Sequence, residues 1–179
     1  RHSRKVSIAH NGTGPAWVEK MVPDMSSAAI DLKGVPERIG HIMGIAAERG
    51  QRMYELSLCT QAIVSMGGCL LDVRTPIFGD TNIEEMRRLA EAICSVNDLR
   101  HTFWTWRLYK PVEGCDWTVP IKEQVFSMME TVSAEFPNLW LGCRAKWNKG
   151  GMHYVRDGRV ITGSADVEEN SDETRGSGN

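Results

Sequence analysis

Two acids each stand two residues ahead of a base: Asp31-Leu32-Lys33 and, 41 residues on, Asp72-Val73-Arg74. A carboxylate beside an ammonium or guanidinium group can bind a zwitterion or an anion. The acid accepts from an amino group, and an arginine grips a carboxylate or phosphate with two parallel hydrogen bonds. Both triplets close apolar runs that read as strands, in which residues two apart share a face. Asp31 and Lys33 then point one way while Ile30 and Leu32 point the other; Asp72 and Arg74 oppose Leu71 and Val73 in the same manner. Charges in a buried strand are costly unless they find partners, so the two triplets mark a candidate polar site at one rim of a sheet. The competing explanation is an inter-strand salt-bridge network that only fills a barrel interior, because structural ion pairs occupy such positions too.

The remaining sequence supplies elements to position these groups. Strands are expected at 5–9, 28–33, 69–76, 101–109 and 139–147. Helical patterns lie between them. Residues 16–21 follow Pro15, which suits a first helical turn, with Thr13 as a cap. Residues 36–48 carry Ile39, Ile42, Met43 and Ala46 and end at Gly50; residues 54–66 carry Leu58, Ala62 and Met66 and end at Gly67-Gly68. Residues 82–96 present Ile83, Met86, Leu89, Ala90 and Ile93 on one face, and residues 120–136 present Ile121, Val125, Met128, Met129 and Val132. A hairpin is expected over 151–162 around Asp157-Gly158. Such alternation predicts an α/β fold with a parallel sheet and right-handed crossovers, either open or part of a barrel.

Ligands of parallel sheets bind beyond the carboxyl ends of the strands. His10, Asn11, Gly12 and Thr13 fall there, with Asp31, Lys33 and Gly34, then Asp72, Arg74 and Thr75, Arg107 and Tyr109, and Arg144 and Lys146. Asn11 and Asp31 suit ribose hydroxyls or an amino group.

Composition narrows the function classes. The 179 residues suffice for one domain, expected over 1–163, and 41% of them are hydrophobic. The net charge of −2 hides an acidic, Ser/Gly-rich tail at 164–179 with five acids against Arg175, expected to be disordered; residues 1–163 carry 20 bases against 18 acids. That balance is no nucleic-acid footprint. No apolar run approaches membrane-spanning length. Cys59, Cys69, Cys94, Cys115 and Cys143 are scattered and odd in number, without a C-x-x-C pair, which predicts a reduced, cytoplasmic chain with cysteines as small core hydrophobes. Trp104, Trp106, Trp140 and Trp147 read as core and rim packing, and no histidine has a partner at metal-ligand spacing.

The segments Ile8-Ala9-His10-Asn11-Gly12-Thr13, Ile30-Asp31-Leu32-Lys33-Gly34 and Leu71-Asp72-Val73-Arg74-Thr75-Pro76, continuing to Thr81, occur in the order and spacing of a known family. Together they resemble the later part of radical S-adenosylmethionine enzymes, and in particular the activating enzymes of glycyl-radical enzymes. The resemblance spans about residues 4–147. It implies the C-terminal half of a partial (β/α)6 TIM-like barrel. It also implies S-adenosylmethionine and a 4Fe–4S cluster as cofactors, a 5′-deoxyadenosyl radical as the reactive species, and a glycyl-radical enzyme as partner. By that likeness Asn11 and Gly12 form the turn that meets the ligand, Asp31 and Lys33 flank the methionine moiety, and Arg74 lines the same pocket.

Several family features are absent. There is no C-x-x-x-C-x-x-C loop and no Gly-Gly-Glu-Pro segment; His10 stands where Thr is expected, and Trp106–Pro111 replaces the usual Pro-aromatic-His. The expectation is therefore a cofactor-binding half that lacks its cluster loop and the first three strands, is inactive by itself, and has an open sheet edge at 5–9. The rival expectation is a non-catalytic α/β module that binds a small anionic or nucleotide-like ligand, or a partner protein, at the same rim. A third is an unrelated barrel enzyme with a phosphate site and His10 or Asp31 as base.

Overall fold

The computed structural model describes residues 6–144, 152–156 and 159–162. Seven strands form one sheet in chain order: β1 (Val6–His10), β2 (Met25–Asp31), β3 (Leu70–Ile77), β4 (Thr102–Leu108), β5 (Trp140–Arg144), β6 (Met152–Arg156) and β7 (Arg159–Thr162). The first five are parallel, and β6 and β7 add as the expected antiparallel hairpin. Strictly sequential order without a reversal is that of a barrel wall, whereas a doubly wound sheet turns back on itself. The sheet is thus consistent with a partial TIM-like barrel. The tail at 164–179 and the strand residues expected at 145–147 lie outside the described residues.

Five α-helices among the described residues connect the strands: α1 (Pro15–Met21), α2 (Pro36–Met43), α3 (Ala47–Met66), α4 (Ile83–Val96) and α5 (Lys122–Glu135). One apolar core lies between them and one face of the sheet. Ile30, Leu32, Leu71, Val73, Ile77, Trp104, Trp106, Leu141 and Cys143 meet Val18, Val64, Met86, Leu89, Ile93, Val125, Met129 and Val132 there. The strands' other face carries Ala29, Asp31, Asp72, Arg74, Phe103 and Thr105, and we call it the open face. The strict alternation of β3, with Leu71, Val73, Thr75 and Ile77 buried and Asp72, Arg74 and Pro76 half-buried, is the period expected of a sheet with one face dry. No helix among the described residues is long and apolar enough to cross a membrane.

Several local expectations are corrected. Pattern reading placed one helix over 36–48 and another over 54–66. Instead α2 stops at Gly44, which takes a left-handed φ of 61°, and α3 starts at Ala47, seven residues early. Gly50 ends nothing. It lies inside α3 where α2 crosses, and a Cβ there would come 2.8 Å from Gly40 N and Pro36 O. The stripe Leu58, Ala62 and Met66 is not the inward face of α3: its buried residues are Gly50, Ser57, Thr60, Gln61 and Val64, and Met66 is 80% exposed. Thr13 caps no helix. Gly14 holds the N-cap position of α1, and the Thr13 hydroxyl donates to Asn11 Oδ1 instead. Ile121 precedes α5 and is exposed. The buried stripe Met86, Leu89, Ala90 and Ile93 of α4 agrees with expectation, and Asn82 and Glu85 add a capping box at its start.

Candidate functional site

The parallel register places Asp31 of β2 beside Arg74 of β3, and Asp72 beside Ala29 on one side and Phe103 on the other. All three charged groups are on the open face, because Ile30, Leu32, Val73 and Thr75 are buried on the helix side. Each charge pairs with a partner two residues away on its own segment, Asp72–Arg74 within β3 and Asp31–Lys33 across the end of β2. Lys33 Nζ donates to Asp31 Oδ2 at 2.9 Å, and Arg74 Nε donates to Asp72 Oδ2 at 2.7 Å. Thr105 Oγ1 adds a bond to Asp72 Oδ1 at 2.6 Å. The inter-strand salt-bridge network considered above is therefore not what forms. Residues two apart on one strand lie close enough to pair directly.

These side chains are 26–34% exposed, so the pairs sit in contact with water and are worth about 0–1 kcal/mol each. Their value is in what they leave open. Among the described residues, Asp31 Oδ1, two of the three Lys33 ammonium protons and both terminal amino groups of Arg74 have no hydrogen-bond partner. Asp31 and Arg74 are register neighbours, so one acceptor and several cationic donors stand on adjacent strands.

The turn after β1 is fixed on all sides. Asn11 Oδ1 accepts from Thr13 N and Thr13 Oγ1, at 3.1 and 2.8 Å, which leaves its amide NH2 outward and exposed. Gly12 N donates to His10 Nδ1 at 3.0 Å, and the His10 ring stacks on Trp17 at 5.6 Å. Gly12 O accepts from Thr60 Oγ1 at 2.7 Å. Gly12 is buried with φ of 82°, and a Cβ would lie 2.8 Å from Ser57 Cβ. Both of its backbone polar groups are occupied, so it shapes the turn while Asn11 presents a group outward. Arg107 is exposed at the rim, and the side chains of Arg144 and Lys146 lie outside the described residues.

A second cluster at this rim escaped sequence reading. Arg38 of α2 clamps the start of α4: its Nε and NH2 reach Glu85 at 3.0 and 2.9 Å, and its NH1 reaches Asp80 at 2.7 Å. Burial alone would lower the Arg38 pKa, but the hydrogen bonds to Glu85 and Asp80 outweigh it and raise the pKa. Trp117, on the loop between β4 and α5, is seated against His41 at 4.7 Å and Phe78 at 4.8 Å, and Phe78 contacts Tyr109 at 5.1 Å. The cluster ties α2 to the β3–α4 and β4–α5 loops beside Lys33. It joins residues 42 and 47 positions apart, a pairing that no local pattern announces.

The cysteines divide. Cys69 and Cys143 are buried as expected, but Cys59 and Cys115 are exposed, on the outer side of α3 and in the β4–α5 loop. Burial pushes the Cys143 thiol up to about 12. No group of three or more His, Cys, Asp or Glu side chains that could hold a metal ion occurs among the described residues. Trp104 and Trp106 are core residues, and Trp104 Nε1 donates to Thr75 Oγ1 at 2.8 Å.

No protein-family model matches the chain, and no curated protein matches its sequence. Its structure is similar to the crystal structure of a domain of pyruvate-formate lyase-activating enzyme from Bacteroides vulgatus, with a TM-score of 0.55 and 14% identity, over 72% of this chain and 75% of that one. At that identity the likeness establishes the fold.

Proposed function

We propose that the open face binds S-adenosylmethionine by its methionyl end, and that the chain is the cofactor-binding part of a radical S-adenosylmethionine enzyme of the activating type, with a glycyl-radical enzyme as partner. The observation that carries the reading is the set of unused groups on one face. The methionyl end is a zwitterion. Asp31 Oδ1 can accept from its ammonium while Lys33 and the Arg74 fork donate to its carboxylate, so the donor set and the ligand are complementary in sign and number. Asn11 offers its free amide to a ribose hydroxyl, and Gly12 holds the turn that presents it. The order of the strands and the likeness to an activating-enzyme domain support the same fold.

The iron–sulfur cluster does not fit the described residues, since no three-ligand group exists among them. The role proposed for this chain is therefore confined to binding and orientation: Asp31, Lys33 and Arg74 fix one end of the ligand, and the β1 turn fixes the sugar.

Calorimetric titration of S-adenosylmethionine into the chain tests the proposal, with Lys33→Ala and Arg74→Ala alongside. Each lost charge-assisted bond should cost about 1.5–3 kcal/mol, a loss of roughly 10- to 150-fold in affinity. Unchanged affinity in both variants removes these residues from the site. If inorganic phosphate or a nucleotide binds and S-adenosylmethionine does not, the anion-binding module is the correct reading.

A further inference from the structure

We infer that Ser57, Thr60 and Gln61 of α3 are positioning residues, a polar spine that sets the carboxyl ends of β1 and β2 from behind. They are 3%, 0% and 0% exposed, on the face of a helix that should be apolar where it meets a sheet. Each is committed to a bond. Ser57 Oγ donates to Asp31 O at 2.8 Å, and Gln61 Nε2 donates to Ser57 Oγ at 3.3 Å. Asn97 Nδ2 donates to Gln61 Oε1 at 3.1 Å, which anchors the chain of bonds in the loop after α4. The single proton of Thr60 Oγ1 is shared between Leu56 O of its own helix, at 2.8 Å, and Gly12 O at 2.7 Å.

The need for such donors is physical. Gly12 and Asp31 lie where β1 and β2 leave the ladder, and a carbonyl buried there without a partner is strongly disfavoured. An apolar helix face would leave the buried Gly12 carbonyl unsatisfied and remove the protein partner of the half-buried Asp31 carbonyl. The spine also sets distance: the Ser57 backbone and Cβ fill the space in which a Gly12 side chain would stand. Two turns from different strands are thereby referred to one helix. The open-face groups Asn11 and Asp31 are each on a residue that the spine holds or on its neighbour. Their relative placement is then set by α3, with no contact between α3 and any ligand. The inference rests on the proposed site for its functional meaning, while the geometry it predicts is independent of a ligand.

The test compares Thr60→Val, which keeps the shape and removes the hydroxyl, with Thr60→Ser, which keeps the hydroxyl and removes a methyl. In 15N-labelled protein, Thr60→Val should shift the Gly12 and Thr13 amide resonances and speed their exchange; Thr60→Ser should leave both near wild type despite a lower urea midpoint. S-adenosylmethionine affinity should fall at least tenfold in Thr60→Val and recover in Thr60→Ser. Ser57→Ala should move the Asp31 and Leu32 resonances in the same way and guards against a single misfolded variant. If Thr60→Val and Thr60→Ser change the Gly12 and Thr13 amides equally, the residue is plain core packing and the inference falls. If wild type does not bind S-adenosylmethionine at all, the proposed function fails while the resonances still decide the role of the spine.

Discussion

Replacing Gly12 by Ala isolates the part of the site that is dictated by the fold. The residue has φ of 82°, a left-handed conformation that costs an L-residue about 1–2 kcal/mol. The new Cβ would stand 2.8 Å from Ser57 Cβ and Oγ and 2.9 Å from Ser57 Cα. Because one of these atoms is backbone, no rotamer change at Ser57 relieves the overlap, and α3 must move; overpacking of this kind costs about 1–3 kcal/mol. Alanine also restricts the unfolded chain, which returns about 0.4–1 kcal/mol. The net expectation is a loss of about 1–4.5 kcal/mol, a large fraction of the roughly 5–15 kcal/mol that holds an ordinary domain together. Equilibrium urea unfolding followed by tryptophan fluorescence measures it, and an unchanged m-value would confirm that the native state is what lost stability. Truncating Ser57 to Gly in the same chain should recover only part of the loss, since the left-handed φ and the overlap with the α3 backbone remain. A Gly12→Ala chain within about 0.5 kcal/mol of wild type would show that neither strain nor overlap is present, and would refute the geometry from which the spine is argued.

Two further outcomes follow from other parts of the molecule. Arg38→Met removes a guanidinium whose side chain is only 10% exposed and leaves Glu85 and Asp80 without their shared cation, so stability should fall by about 2–3 kcal/mol by urea unfolding; Asp80→Asn, at an exposed partner, should cost under about 1 kcal/mol. Titration with an aromatic disulfide near pH 8 should find Cys59 and Cys115 fast and Cys143 silent until the chain unfolds, because burial holds the Cys143 thiol protonated and shields it; fast labelling of Cys143 in the folded state would contradict its position in the core.

What the sequence revealed depended on whether the physics was periodic. The alternation in Leu71-Asp72-Val73-Arg74 is a direct record of a sheet with one dry face, and it put Asp72 and Arg74 on the side opposite the core. The stripe of α4 was equally plain. Reading failed on α3 because an inward helix face was expected to be apolar, and this one is polar for a local reason: it supplies donors to strand-end carbonyls. A signal existed. Ser57, Thr60, Gln61 and Val64 are spaced i, i+3, i+4 and i+7, a helical face of its own, but hydrophobicity alone gives it no weight. Gly50 misled in a related way, since a glycine that admits a crossing helix has the same letter as one that ends a helix. The Arg38 clamp and the Trp117 contacts join distant segments and leave no periodic trace.

The open face itself limits what can cover it. At about one-third exposure, Asp31, Lys33, Asp72 and Arg74 and their unused donors and acceptor are open to solvent. A dry, apolar covering would strip that water from two ion pairs and leave the Arg74 fork and the Lys33 ammonium without replacements, at several kcal/mol per ion. A covering that brings its own charges, one carboxylate for the Arg74 and Lys33 donors and one ammonium for Asp31, avoids that cost and gains from the lowered dielectric. On the proposed function, the band favours a zwitterionic ligand over an apolar lid. The ligand would be the group that allows the face to be buried.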